Sequence, residues 1–159
     1  MFNNKKDKNM KQFKPKFRKA VFIVTYKKEK NKIFYLLLKR KLHWTGFEFP
    51  KGGIEKYEHM LRTVNRELYE ETGQNSKNIK PYPVSGKYKY HKFLRDRPGF
   101  LGQSYKLFSA EIKNKNIKLD KREHSAYKWL NYKQAMKTLN WQNQRKCLSI
   151  VNNYRAKKN

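Results

Sequence analysis

Residues 48–71 stand apart from the rest of a strongly basic chain. They hold six of the twelve acids in the 159-residue sequence, and six acids against four basic residues give the segment −2, where the whole chain carries +28. Glu67, Glu70 and Glu71 lie close together in it. At roughly 100° per residue, a helix gathers these three carboxylates within about 100° of one another, at the edge of a stripe formed by Leu61, Val64 and Leu68. Like charges so placed repel unless a cation neutralises them, and hard oxygen ligands select Mg²⁺, with Mn²⁺ as the alternative. The competing reading is a solvated helical face paired with Arg62 and Arg66.

The surrounding residues give this helix a context. Gly52, Glu58, Arg66, Glu67, Leu68, Glu70, Glu71 and Gly73 follow the Nudix box, G-x(5)-E-x(7)-R-E-U-x-E-E-x-G-U, where U is a bulky aliphatic residue. Every fixed residue matches, and only Gln74 departs, at the final U. The sequence therefore resembles the Nudix hydrolase family. That resemblance implies an α/β (α+β) fold, an α/β/α sandwich with a mixed central sheet, and hydrolysis of nucleoside diphosphates linked to another moiety. It also implies Mg²⁺ held by Glu67, Glu70 and Glu71, with the backbone carbonyl of Lys51 as a further ligand. Arg66 would orient Glu67, Glu58 would support the loop and helix, and Glu70 would take part in catalysis. Glu123, ahead of a Trp-bearing strand, matches a remote glutamate that such enzymes use as base or extra ligand; its alternative is a loop carboxylate pairing Arg122.

Trp44, Phe49-Pro50, Lys51 and Gly52-Gly53-Ile54 resemble the W-x-FPxGGI stretch of the dinucleoside polyphosphate hydrolase and RNA pyrophosphohydrolase group. Gly102-Gln103, Lys106 and Phe108 resemble its GQ-x-x-K-W-F strand, with Leu107 in place of Trp, and Asn143-Gln144-Arg145 an NQR in its final helix. The resemblance implies a nucleoside polyphosphate substrate, first of all diadenosine tetraphosphate cleaved to ATP and AMP. RNA 5′ ends are the alternative, and an RNA-binding module on an idle scaffold is a reading from another class. Rings interleave with cations at Tyr88, Lys89, Tyr90, Tyr105 and Lys106, suiting bases and phosphates; these residues and Arg145 are the candidate substrate contacts. The alternative for the tyrosines is a core face, with the lysines solvated. His43 and His124 have no metal-ligand spacing and read as surface or loop residues.

These side chains need a scaffold. Residues 20–26 and 33–39 are β-rich and flank a charged, Asn-containing turn, which predicts a hairpin of central strands covered on both faces. Gly52-Gly53 predicts a tight turn. The Glu-rich helix runs from 58 to 72, with Gly73 as its C′ residue. Strands follow at 82–90, 103–112 and 126–130, with Pro98-Gly99 in a long loop, and two helices close the chain. Asn131 and Gln134 form a capping box for the first, and Asn140 caps the second, which carries Trp141, Leu148 and Val151.

The charge of +28 predicts a phosphate-rich partner, with RNA among the candidates. Residues 1–18 read as a basic, flexible arm and 19–159 as one domain. No apolar run approaches the ~20 residues of a spanning helix, and no signal sequence is evident, so the expected location is cytoplasmic, without a membrane partner. The lone Cys147 agrees with a reducing compartment.

Overall fold

The computed structural model describes residues 16–113 and 115–158. Seven strands and three helices follow in the order β1 (Lys16–Glu29), β2 (Lys32–Arg40), β3 (Gly46–Glu48), β4 (Lys51–Gly53), α1 (Met60–Thr72), β5 (Lys77–Lys89), β6 (Phe100–Glu111), β7 (His124–Leu130), α2 (Tyr132–Thr138) and α3 (Gln142–Ala156). The expected arm boundary at residue 18 falls inside β1, whose residues 16–18 pair with Phe100, Gly102 and Gln103 of β6. The rest of the arm lies outside the described residues.

β1 and β2 form the expected hairpin. Lys30 and Asn31 take positive φ values of 44° and 62°, the left-handed pair that a two-residue turn of this hand requires. The two strands pair only from Tyr26↔Tyr35 to Glu29↔Lys32 and then separate. β3 enters the opening alongside β2, and β4 alongside β1. On its other side β1 runs parallel to β6, which is antiparallel to β5, while β7 pairs with β2. The sheet is therefore mixed, with path β3-β2-β1-β6-β5.

Continuous apolar runs make sense here because both faces of β1 and β2 are covered. Val21, Ile23, Leu36 and Leu38 pack against Val64 and Leu68 of α1. Phe22, Val24, Tyr35 and Leu37 pack against Ala135, Leu139, Leu148 and Val151 of the C-terminal helices. The result is the expected α/β/α sandwich.

Several local expectations change. Gly52-Gly53 is not a tight turn but strand β4, with Ala20↔Gly53 and Val21↔Gly52 in register. A side chain at Gly52 would collide with the Glu67 carboxylate, so the missing Cβ makes room for that carboxylate. α1 begins at Met60, not 58, and ends as expected, with Gly73 at φ 67° donating its N–H to Tyr69 O. Leu61 is 54% exposed, so the buried stripe consists of Val64 and Leu68 with Thr63, Glu67, Glu71 and Thr72. The sheet receives the flank of the helix that carries two of the three glutamates. The capping box at Asn131 and Gln134 is present. Asn140 does not cap α3; its Oδ1 accepts from the Phe47 N–H at 2.9 Å and ties the helix connection to β3.

Gly102 joins the scaffold to a cavity wall. It sits opposite Lys89, and a Cβ there would strike the Tyr88 carbonyl, which is backbone and cannot swing aside. Gly102→Ala should lower unfolding stability by about 1–3 kcal/mol in a urea titration, the usual range for forcing atoms into packed structure.

Candidate active site

Arg66 organises the start of the site. Its Nε donates to Glu58 Oε1 at 2.8 Å and its Nη2 to Glu58 Oε2 and the Gly53 carbonyl, both at 2.9 Å. Its Nη1 reaches Glu67 Oε1 at 2.8 Å and Glu70 Oε2 at 3.2 Å. One guanidinium thus ties β4, the loop before α1 and two helix glutamates together. Glu58 also accepts from the Thr63 hydroxyl and the Glu55 N–H, and the Arg66 bonds foremost hold its carboxyl down at about 2.

Glu67 and Glu71 face inward and are 8% and 3% exposed. Burial pushes the Glu67 carboxyl up to about 7, against the pull of Arg66. Glu71 is also raised well above its ordinary value, by burial and then by Glu67, Glu48 and Glu123 around it. Its Oε2 accepts the Lys51 N–H at 3.2 Å, which sets the Lys51 backbone against the acidic cluster. The Glu70 side chain is half exposed on the outer edge of the helix.

A second cation lies deeper. Arg40, 2% exposed, places Nη1 3.2 Å from Glu48 Oε1 and 2.8 Å from Glu123 Oε2, while its Nε donates to the Leu42 carbonyl at 3.0 Å. Glu123 is thus held by Arg40, while Arg122 turns to Asp120 at 3.0 Å. Burial alone would raise the Glu48 carboxyl, but Lys51, His124 and Arg40 together hold it at about 2. The Lys51 ammonium stands 3.4 Å from Glu48 Oε2.

Sequence reasoning missed two members of this group. Arg40 was hidden among the chain's many basic residues, and only its apolar run, 33–38, hinted that it would be carried inward. His124, expected at the surface or in a loop, is 1% exposed at the start of β7, opposite Arg40 in register and 3.6 Å from Glu48. Glu71, Glu123 and His124 have ligand atoms within 4.8 Å of one another.

Beside this group opens a cavity of about 460 Å³, reached by Arg40, Glu48 and Lys51 on one side and by rings on the other. Tyr88, Lys89 and Tyr90 line it together with Trp44, His91 and Trp141. His91 stacks on Trp141 with centroids 5.3 Å apart, and Trp44 meets Trp141 edge-on at 5.1 Å. Arg97 donates to the Tyr90 hydroxyl at 3.2 Å, and His43, also in the lining, reaches Asp96 at 3.1 Å, so the loop after β5 is fastened as a wall.

The other candidate contacts lie elsewhere. Tyr105 is buried, stacked on Phe22 at 3.9 Å, and joins Lys106 at a separate cavity beside the N-terminus of α1. Arg145 donates to the Leu139 and Asn140 carbonyls at 2.7 and 3.2 Å, closing the end of α2. Its neighbours Asn143 and Gln144 are the part of the NQR run that lines the main cavity.

The donor set suits a hard divalent cation. Buried carboxylates converge with too few cations to neutralise them, and Nδ1 of His124 is buried with neither a hydrogen bond nor an ion pair. Glu67, Glu70 and Glu71 would hold such an ion, with Glu123 facing it.

A family profile described as the NUDIX domain matches residues 16–149. An RNA pyrophosphohydrolase of Francisella philomiragia is 30% identical over 126 residues, 73% of this chain and 79% of that protein. One from Helicobacter pylori (strain G27) is 34% identical over 103 residues, 59% of this chain and 64% of that protein, so the match spans somewhat less than two thirds of the latter's length. Among solved structures, a C. elegans Ap4A hydrolase binary complex superposes with a TM-score of 0.70 at 22% identity, covering 87% of this chain and 98% of that one. A NUDIX hydrolase from Listeria monocytogenes gives 0.72 at 20% identity, covering 87% and 94%. At these identities the likeness to the solved structures is one of fold.

Two outcomes test the electrostatics. Arg40→Met leaves Glu48 buried with Lys51 and no guanidinium, and should cost about 3–5 kcal/mol of unfolding free energy. Because Glu67 and Glu71 are raised, the folded chain binds more protons than the unfolded chain between about pH 4.5 and 7, so their contribution to stability falls as pH rises through that window. In EDTA the urea midpoint should decline from about pH 5 to about pH 7, and added Mg²⁺ should remove most of that decline.

Proposed function

Since the chain belongs to the NUDIX domain family, we propose that it is a Mg²⁺-dependent pyrophosphohydrolase that cleaves diadenosine tetraphosphate to ATP and AMP. The observation that carries this reading is the meeting of a buried acidic cluster with an aromatic, cation-edged cavity at Glu48, Lys51 and Arg40. A base would stack among Trp44, Trp141, His91 and Tyr90, and Lys89, Lys92 and Arg97 in the same lining would take phosphate oxygens.

When bound, the divalent cation neutralises the polyphosphate and lowers the pKa of a water to supply the nucleophile. Glu67, Glu70 and Glu71 would hold it, with the Lys51 carbonyl as a further ligand, and Arg66 fixes the direction of Glu67. Glu123, steadied by Arg40 and still partly open to solvent, takes the proton from the attacking water. Phosphorus gains the water oxygen and loses the bridging oxygen, which leaves with the departing nucleotide. The positioning is rigid because Arg40 and Arg66 are each shared among several partners.

A second reading, removal of pyrophosphate from RNA 5′ ends, is favoured by the RNA pyrophosphohydrolase relatives and the charge of +28. A cytoplasmic setting, where these substrates occur and the Cys147 thiol stays reduced, belongs to the same proposal. Among the described residues no helix is long and apolar enough to cross a membrane.

Glu70→Gln should abolish Mg²⁺-dependent turnover while the fold and nucleotide binding persist; wild-type turnover would remove Glu70 from the metal set. Trp141→Ala should raise KM by about 5-fold to 150-fold, the equivalent of losing one stacked base at ~1–3 kcal/mol. Hydrolysis of diadenosine tetraphosphate and triphosphorylated RNA, compared across salt concentrations, separates the two substrates: affinity for RNA falls steeply with salt, and for the dinucleotide only shallowly.

A further inference from the structure

We infer that His124 supplies a ring nitrogen to the divalent cation held by Glu71, beside Glu123, so that the metal centre is mixed nitrogen and oxygen instead of all-carboxylate. The inference rests on the proposed metal dependence and goes beyond it in ligand type. It starts from position: a ring nitrogen of His124 and one carboxylate oxygen each from Glu71 and Glu123 lie within 4.8 Å of one another. Glu71 comes from α1 and the consecutive Glu123 and His124 from the entry into β7, two segments that the fold brings together.

The second observation is the state of the ring. His124 is 1% exposed, and neither ring nitrogen has a hydrogen-bond partner. A buried imidazole nitrogen with no partner is costly, and such groups are normally satisfied; Nδ1 has neither a hydrogen bond nor an ion pair. Its nearest carboxylate, Glu48 Oε1, stands 3.6 Å from Nε2, too far for a hydrogen bond, and Glu48 already faces Arg40 at 3.2 Å and Lys51 at 3.4 Å. The pairing with Glu48, whose carboxyl His124 helps to hold down, accounts for Nε2 and leaves Nδ1 without a partner. An outer carboxylate near one nitrogen is, however, the usual accompaniment of a metal-bound histidine, because it keeps the proton on that nitrogen and leaves the other its lone pair.

Charge points the same way. Glu71 is surrounded by Glu48, Glu67 and Glu123, and a further carboxylate would add to the repulsion. A neutral imidazole adds a ligand without adding charge. Nitrogen shifts preference from Mg²⁺, which takes oxygen, toward ions that also accept imidazole, and Mn²⁺ serves as the spectroscopic probe of this kind.

The test uses the full chain loaded with Mn²⁺ and pulsed electron paramagnetic resonance, which detects a directly bound ¹⁴N through its modulation of the echo. The expected result is such modulation in the wild type, changed to the ¹⁵N pattern when the histidines are ¹⁵N-labelled. It should persist in a variant with His43, His59 and His91 all replaced by Gln, and vanish in His124→Gln. Mn²⁺ affinity should weaken about 10-fold or more in His124→Gln, with a smaller change for Mg²⁺. The isotope comparison on the wild type and the triple variant decides the matter even if His124→Gln does not fold. Bound Mn²⁺ without nitrogen modulation overturns the inference and leaves an all-oxygen site, with the proposed metal dependence intact. Failure of Mn²⁺ to bind at all overturns both.

Discussion

Arg40 carries a positive charge to a place that solvent barely reaches, and three other points of the chain are fastened to it. Its guanidinium faces Glu48 from β3 and Glu123 from the loop before β7, and its Nε holds the carbonyl of Leu42. Burying a guanidinium is unfavourable until such partners are in place, so the network forms whole or not at all. Arg66 does the same nearer the surface, tying Glu58, Gly53 and Glu67. Between the two arginines lie more carboxylates than these cations and Lys51 can neutralise, and that surplus makes the centre receptive to a divalent ion.

The hairpin is what lets this network exist. β1 and β2 part beyond Tyr26 and Tyr35, and the segment carrying Glu48, Lys51 and the two glycines occupies the gap. Without that opening Glu48 would have no route to Arg40, and α1 could not bring Glu67 against Gly52. The same strands present Phe22 to the opposite face, where it supports Tyr88 with ring centroids 6.2 Å apart. The sheet thus supports both the acidic cluster and the aromatic cavity, which meet at Glu48, Lys51 and Arg40.

Local patterns carried much of this into the sequence. The spacing of Arg66, Glu67, Glu70 and Glu71, the turn at Lys30-Asn31, the capping box at Asn131 and the left-handed Gly73 all depend on neighbours within a few residues. What could not be read depends on register between distant segments. His124 is buried because it pairs with Arg40 across β2 and β7, and nothing near His124 in the chain announces that. Leu61 obeys the helical period yet stays exposed, since the buried flank of α1 runs through Thr63, Val64, Glu67 and Glu71. Arg145 looked like a phosphate contact, but two carbonyls at the end of α2 claim it.

The parallel pairing of β1 with β6 bears on how the protein is made. Lys16 to Tyr26 find their partners at Phe100 to Glu111, so the central strand keeps an open edge until most of the chain has been synthesised. Long-range pairing of this kind slows folding, and an unpaired central strand invites association with other chains. On the ribosome the glutamates of α1 emerge well before Glu123 and its arginine partner can meet, so the acidic centre is completed only late in translation.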